Sequence, residues 1–305
     1  MEQWLRKAGL IVTAGTDAID LSQFHFRFKV TQQDFQSPNT ADIRVWNLDP
    51  LTRQRIVSEF TGVMLQAGYN APGVIFQGTI KQVRIGKENE TDTYLDILAA
   101  DGDLFHNFAT VNMSLAGGSS VTQRVEAVAK ATSTPIQFGA PLENVGGVLP
   151  RGKVLFGMAK DFLEHFARTT RSTWSISNGT VVFTALDGVD DATAIVLSSA
   201  TGLIGLAEST QEGVSARCLL NPLLVPGRSV RIDNALINQT LQSASSYRVP
   251  FNSYTGLQFF ADVAADGFYR VLVAEHTGDT RGQQWYTELV CLTLNSVTQK
   301  VVSNG

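Results

Sequence analysis

Two stretches near opposite ends of this 305-residue chain carry the same order of strand, polar loop and strand. Phe76 to Leu98 and Phe268 to Val290 align without a gap, setting Phe76 against Phe268, Ile80 against Leu272, Gly86 against Gly278, Tyr94 against Tyr286, Asp96 against Glu288 and Ile97 against Leu289. A strand-like run precedes each copy, Val63-Met64-Leu65 in the first and Val230-Arg231-Ile232 in the second. Two similar β units in one chain constrain assembly, because three chains then present six similar units around an axis. The pattern points to a part of an assembly before it points to an enzyme.

Composition narrows the classes. The length allows two or three domains with separate cores, and 44% hydrophobic against 17% charged residues is unlike a disordered chain. A net charge of -4 gives no global attraction to nucleic acid or to an anionic membrane. Met1 to Ile11 has Arg6 and Lys7 but no apolar core of signal-peptide length. No run approaches the ~20 apolar residues of a spanning helix, so a soluble, non-secreted product is expected. Cys218 and Cys291 lie in apolar strand-like runs and read as buried, reduced thiols.

Local patterns divide the chain. Phe24, Phe26, Phe28 and Val30 alternate with His25, Arg27 and Lys29, the period of a strand with one buried face. Ile43 to Leu48 is a second strand, and Asp49-Pro50 starts a short helix to about Phe60, with Asp49 accepting from free backbone N–H groups. Composition shifts after about residue 105. Ser119 or Ser120 caps a helix with Val121, Val125 and Val128 on one face. A second helix turns Met158, Phe162, Leu163 and Phe166 inward. Asn178-Gly179 between alternating strands predicts a tight hairpin. From Ala192 the chain is again strand-like. The expected fold is α+β, mainly β: a first β domain over 1–105, an inserted α+β domain over 106–190, a small β linker over 191–214 and a second β domain over 215–305.

Sites for chemistry are scarce. Gly147 to Val154 comes closest to a phosphate-binding loop, but Val154 replaces the hydroxyl that would hold magnesium and Pro150 removes an N–H from the cradle. His25, His106, His165 and His276 are dispersed, and none shares a helical turn with another histidine or a cysteine. Glu275-His276 with Asp279 is the one acid and imidazole cluster at a predicted loop mouth, while the aligned places of the first copy hold Val83, Arg84 and Lys87. There is no Gly-x-Ser-x-Gly elbow. The Phe24, Phe26, Phe28 stripe reads as core packing rather than a base-stacking platform. No catalytic residue, cofactor or metal is expected.

The segments Gly202 to Gly205, Gly213 to Pro222 and Pro226 to Ile232, the ending Phe268 to Leu272 through His276 to Gly282 and Trp285 to Leu289, Tyr94 to Ile97 with Ala100-Asp101-Gly102, and the Trp174 hairpin through Asn178-Gly179 together resemble baseplate hub proteins of contractile-tailed bacteriophages. The resemblance implies two tail-tube-like β-barrel or sandwich domains flanking inserted domains. It implies a homotrimeric ring of pseudo-sixfold symmetry, joined to the tail tube or distal tail proteins on one side and to the trimeric tail spike protein on the other. A tape-measure protein is a further implied partner, DNA would only pass through the channel, and no membrane is bound. The implied place is the baseplate of a virion made in the host cytoplasm. The hairpin loops, Lys87, Glu88, Asn89 and Glu90 in one copy and Asp279, Thr280, Arg281 and Gly282 in the other, become candidates for contacts to a neighbouring subunit or ring. Two alternatives stand beside this: the hub of a bacterial contractile injection or secretion device, and a tail-associated cell-wall hydrolase whose carboxylates would include Glu275 or Asp279.

Overall fold

The structure, a computed structural model, describes residues 5–34, 37–70, 72–139, 147–185, 193–210, 213–233, 237–238 and 267–293. The first part of the chain folds as β1 (Arg6–Ala14), β2 (Asp17–Asp20), β3 (Phe26–Gln33), β4 (Thr40–Trp46), α1 (Pro50–Glu59), β5 (Gly62–Tyr69), β6 (Gly73–Lys87) and β7 (Thr93–Ala100). Strict alternation in β3 buries Phe26, Phe28 and Val30 and leaves Arg27 and Lys29 exposed. The aromatic stripe is therefore core. Asp49 caps α1, its carboxylate accepting from the N–H of Leu51 at 3.0 Å and of Thr52 at 3.3 Å.

The middle of the chain supplies α2 (Asp103–Phe108), β8 (Thr110–Leu115), α3 (Val121–Ala131), β9 (Ile136–Phe138), β10 (Lys153–Met158), α4 (Ala159–Thr169), β11 (Ser172–Ser177) and β12 (Thr180–Ala185). Ser120 and Gln123 close a reciprocal capping box at the start of α3. Asn178 and Gly179 both take positive φ, 51° and 76°, as the tight turn between β11 and β12 requires. The sequence reading has no counterpart for β1, β2, α2, β8, β9 or β10, nor for the antiparallel pairing of β8 with β10 across the whole of α3 or the parallel pairing of β9 with β12, and Met158, read into the second helix, ends β10 instead.

The last part comprises β13 (Ile195–Leu197), β14 (Leu203–Thr210), β15 (Gly213–Leu219), β16 (Ser229–Ile232), β17 (Ile237–Asn238), β18 (Phe268–Asp279) and β19 (Trp285–Thr293). The stretch read as a linker holds β13, which pairs with β16, and β14, which pairs with β15. One hydrogen-bonded sheet runs in the order β17, β14, β15, β19, β18, β3, β4, β7, β6, β5, β1, β2, with β16 on β18 and β13 on β16. The fold is mainly β. Three separate hydrophobic clusters lie within the first, middle and last parts of the chain; Trp285 and Leu220 of the last part join the first cluster.

One buried ion pair ties the three parts together. Asp34, just past β3, pairs with Arg270 of β18, and Arg270 is only 3% exposed. Arg270 also donates to the Ala185 carbonyl at the end of β12, at 2.8 Å. The backbone of Asp34 donates to Leu272 O at 2.9 Å, and its carbonyl accepts from Thr173 Oγ1 at 3.0 Å. Removing one member of a buried pair strands the other charge, at a cost of about 3–5 kcal/mol. Asp34→Ala is therefore expected to lose stability of that order in urea unfolding. The double variant Asp34→Leu with Arg270→Met should recover most of it, because no unpaired charge remains.

Candidate subunit interface

The strand ladders define which residues of the two β units are equivalent. The order β3, β4, β7, β6, β5 in the first unit corresponds to β14, β15, β19, β18, β16 in the last. Each long hairpin carries one bulge, at Lys81 between Ile80 and Gln82 and at Leu272 between Val271 and Val273. Beyond the bulges Gln82 pairs with Leu98 as Val273 pairs with Val290. The ungapped alignment thus holds for the second strands and slips by one residue on the first. Gly86 sits opposite Tyr94, whereas Gly278 sits opposite Trp285, and Tyr286 faces Thr277. The one-residue difference in the hairpin loops absorbs the slip.

A set of three side chains recurs at equivalent positions. Arg44 on β4 grips Asp96 of β7 through Nε at 2.6 Å and a terminal nitrogen at 2.9 Å, with its guanidinium 3.9 Å from the Tyr94 ring centre. Arg217 on β15 holds Glu288 of β19 through Nε at 2.8 Å and lies 4.7 Å from the Tyr286 ring centre. The carboxylate bonds raise both guanidinium pKa values. Alignment of the hairpins finds the acids and tyrosines of these sets. It misses Arg44 and Arg217, which lie on strands outside the aligned stretches.

The units differ at the outer edge of the long strand. On β18, Val273 to Asp279 pairs with Gln33 to Arg27 of β3, joining the two units within the chain. Among the described residues, the equivalent Gln82 to Lys87 of β6 pairs only with β7. His276 opposite Val30 is 0% exposed, whereas Ile85 at the equivalent place on β6 is 53% exposed. On the solvent side of the junction Lys29 pairs with Glu275 at 2.8 Å. That contact raises the Lys29 pKa, chiefly through its hydrogen bond to Glu275.

The hairpin loops flank this junction. Asp279 accepts from the N–H groups of Arg281 at 2.9 Å and Gly282 at 2.7 Å, and pairs with His25 Nε2 at 2.9 Å. Burial pushes the Asp279 carboxyl up, but these hydrogen bonds outweigh it and hold the pKa below the usual value. Thr280 exchanges hydrogen bonds with the backbone of Phe26, at 3.0 and 3.1 Å. The Gly282 carbonyl accepts from Arg6 at 3.0 Å, and Arg281 is exposed. In the other loop Glu88 accepts from Trp46 Nε1, and the Trp46 ring stacks on His25 at 4.1 Å. Asn89 caps its own turn by accepting from Asp92 N at 2.6 Å, while Lys87 and Glu90 are exposed. Glu88, Trp46, His25 and Asp279 therefore form a continuous chain of contacts between the loops.

The acid and imidazole cluster suspected at Glu275, His276 and Asp279 does not converge. Alternation along β18 sends His276 inward, where its Nδ1 meets Thr287 Oγ1 at 2.9 Å, while Glu275 and Asp279 bind Lys29 and His25. A cleft of about 440 Å³ between the first unit and the insert is lined in part by Asp101, Asp103, Asn178 and Gly179. Asp101 there accepts from Gly179 N at 3.0 Å, bracing the Asn178-Gly179 turn, and Asp103 pairs with Lys81. Among the described residues no group of three or more His, Cys, Asp or Glu side chains could hold a metal ion. No helix among them is long and apolar enough to cross a membrane. Cys218 and Cys291 are free and buried, and burial pushes the Cys218 thiol up to about 12.

No protein-family model matches the sequence, and no curated protein matches it. Solved structures do. A tail protein from Neisseria meningitidis MC58 superposes with a TM-score of 0.58 at 12% identity, over 94% of this chain and 96% of that one. The 43 kDa tail protein of prophage MuSo2 from Shewanella oneidensis gives 0.58 at 8% identity, over 94% and 97%. The E. coli c3393 protein, a type VI secretion component described as structurally similar to the bacteriophage T4 tail proteins gp27 and gp5, gives 0.52 at 11% identity, over 90% and 74%. At these identities the likeness is one of fold.

The burial of His276 has a measurable consequence. With no charge partner in the core, its pKa falls from 6.5 to about 4. The unfolded chain then binds a proton that the folded chain refuses, so this contribution is complete above about pH 6.5 and is lost as pH falls towards 4. The loss should reach about 3 kcal/mol at its acid end. Urea unfolding across that window should show a shallower decline for His276→Leu than for the wild type.

Proposed function

We propose that this chain is a structural hub of a phage tail, a homotrimeric ring whose six β units match the tail tube on one side and the trimeric spike on the other. The observation that carries this reading is the pair of β units with one strand order and one repeated Arg–acid–Tyr set, already joined edge to edge through β18 and β3. Three chains in a ring would place successive units about one sixth of a turn apart. The tail-protein folds superposed over nearly the whole chain support it.

In this reading the first tube-like unit spans 1–105 and the inserted domain 106–190. The stretch 191–214 belongs with the unit of 215–305, since β13 and β14 complete its sheet and core. Tube, spike and a tape-measure protein are the partners, and DNA passes without being held, as suits a chain with net charge -4. The protein acts through shape and symmetry rather than catalysis, in the baseplate of a virion made in the host cytoplasm. The hub of a contractile secretion device is a second reading, favoured by the fold shared with the type VI component.

The insert carries the surface we assign to the threefold side. Val154 and Phe156 on β10 are 70% and 80% exposed, on the face opposite buried Leu155. Sedimentation of the purified chain at micromolar concentration should give a trimer; a stable monomer overturns the reading. Phe156→Asp should leave the unfolding midpoint unchanged, since the side chain is already in solvent, yet abolish capture of the spike protein by the ring. Unimpaired capture would remove the insert face from the spike interface.

A further inference from the structure

The junction inside the chain is a template for the junctions between chains, and its charges are inverted at the equivalent positions of β6 and β14. Counting along the ladders, Lys29 of β3 faces Asp42 of β4, which faces Leu98 of β7; Glu208 of β14 faces Ser215 of β15, which faces Val290 of β19. Lys29 and Glu208 are therefore equivalent. Glu275 of β18 faces Glu288, and Arg84 of β6 faces Asp96, the two acids of the repeated set. Glu275 and Arg84 are therefore equivalent as well. The internal junction pairs Lys29 with Glu275 at 2.8 Å. The equivalent positions on β14 and β6 hold Glu208 and Arg84, both exposed, with Arg84 donating to its neighbour Gln82 at 2.8 Å and Glu208 lying beside β17.

We infer that the edge of β6 pairs antiparallel with the edge of β14 in a second copy of this chain, and that Arg84 and Glu208 specify this junction. The inference rests on the ring proposed above and adds its register: Arg84 opposite Thr210, Ile85 opposite Ser209 and Gly86 opposite Glu208. The half-exposed Ile85 is then covered, as His276 is covered opposite Val30. Glu208 comes diagonally across from Arg84, the relation that Lys29 has to Glu275. The incoming strand would take the place of β17, which among the described residues pairs with β14 at Ala207 and Glu208.

The inversion makes the junctions selective. If β3 of one copy met β6 of another, Lys29 would oppose Arg84. If β14 met β18, Glu208 would oppose Glu275. Like charges across a strand pair are unfavourable, so each wrong junction carries a repulsion that the right ones lack. The chain's own β3–β18 junction is thus kept apart from the edges that close the ring.

Charge exchange tests this against oligomeric state. Arg84→Glu, with an unfolding midpoint like that of the wild type, should weaken association about 10-fold or more per junction and yield monomers where the wild type is trimeric. Arg84→Glu combined with Glu208→Arg should restore the trimer. A trimeric Arg84→Glu variant, or a double variant that stays monomeric, overturns the charge assignment and leaves the ring standing. A wild-type chain that is monomeric throughout the micromolar range overturns both.

Discussion

The first, middle and last parts of the chain meet at the Asp34–Arg270 pair. Arg270 stands where β18 changes its outer neighbour, from β16 at Ser229 to Arg231 over to β3 at Arg27 to Gln33. Asp34 stands where β3 ends. A buried guanidinium needs an anion and further acceptors within reach, and the placement of the three parts supplies both Asp34 and the Ala185 carbonyl. The pair adds a directional contact where the β18–β3 ladder, which fixes the register of the two units, begins. Asn39 adds to the same corner, donating to the Ile176 carbonyl of the insert at 2.8 Å.

Much of this was legible in the sequence where the signal is local. Alternation in Phe26 to Val30, the Asp49-Pro50 start, the Ser120 cap and the Asn178-Gly179 turn each depend on a few neighbouring residues, and each appears where the pattern puts it. What was hidden depends on distance along the chain. The β8–β10 pairing spans a whole helix, and Val154 and Phe156 face solvent where an alternation reading would bury them. His25 finds its partner at Asp279 and Arg44 finds Asp96, neither of which any local window contains.

The hairpin repeat shows the limit of alignment between two similar β units. Matching Gly86 with Gly278 maximises likeness, yet the bulges at Lys81 and Leu272 fix a frame one residue away. A bulge turns every later side chain on its strand, so it decides which residues are equivalent more strongly than an identical glycine does. In the ladder frame Ile85 corresponds to His276 and Arg84 to Glu275, and neither equivalence is visible in the ungapped one. The polar loops absorb the extra residue at little cost, because they lie beyond the paired strands.

In the proposed ring, a chain with two similar β units makes two kinds of junction, one within the chain and one between chains. The first kind is made at high effective concentration within the chain, whereas the second must be found by diffusion. If both kept one set of charges, the free edge of any chain could invade the internal junction of another, and open polymers would compete with closed rings. Divergence of one charge pair biases against that exchange when the pair sits at the same place in the ladder. In the proposed junction Glu208 and Arg84 stand where Lys29 and Glu275 stand in the internal one, so complementarity would be kept within each junction and lost across them. The contrast in burial fits the same proposal: His276 is sealed behind β3, whereas the β6 edge carries exposed Ile85 beside exposed Arg84. A charged residue beside an apolar one keeps a free strand edge soluble without preventing its eventual pairing.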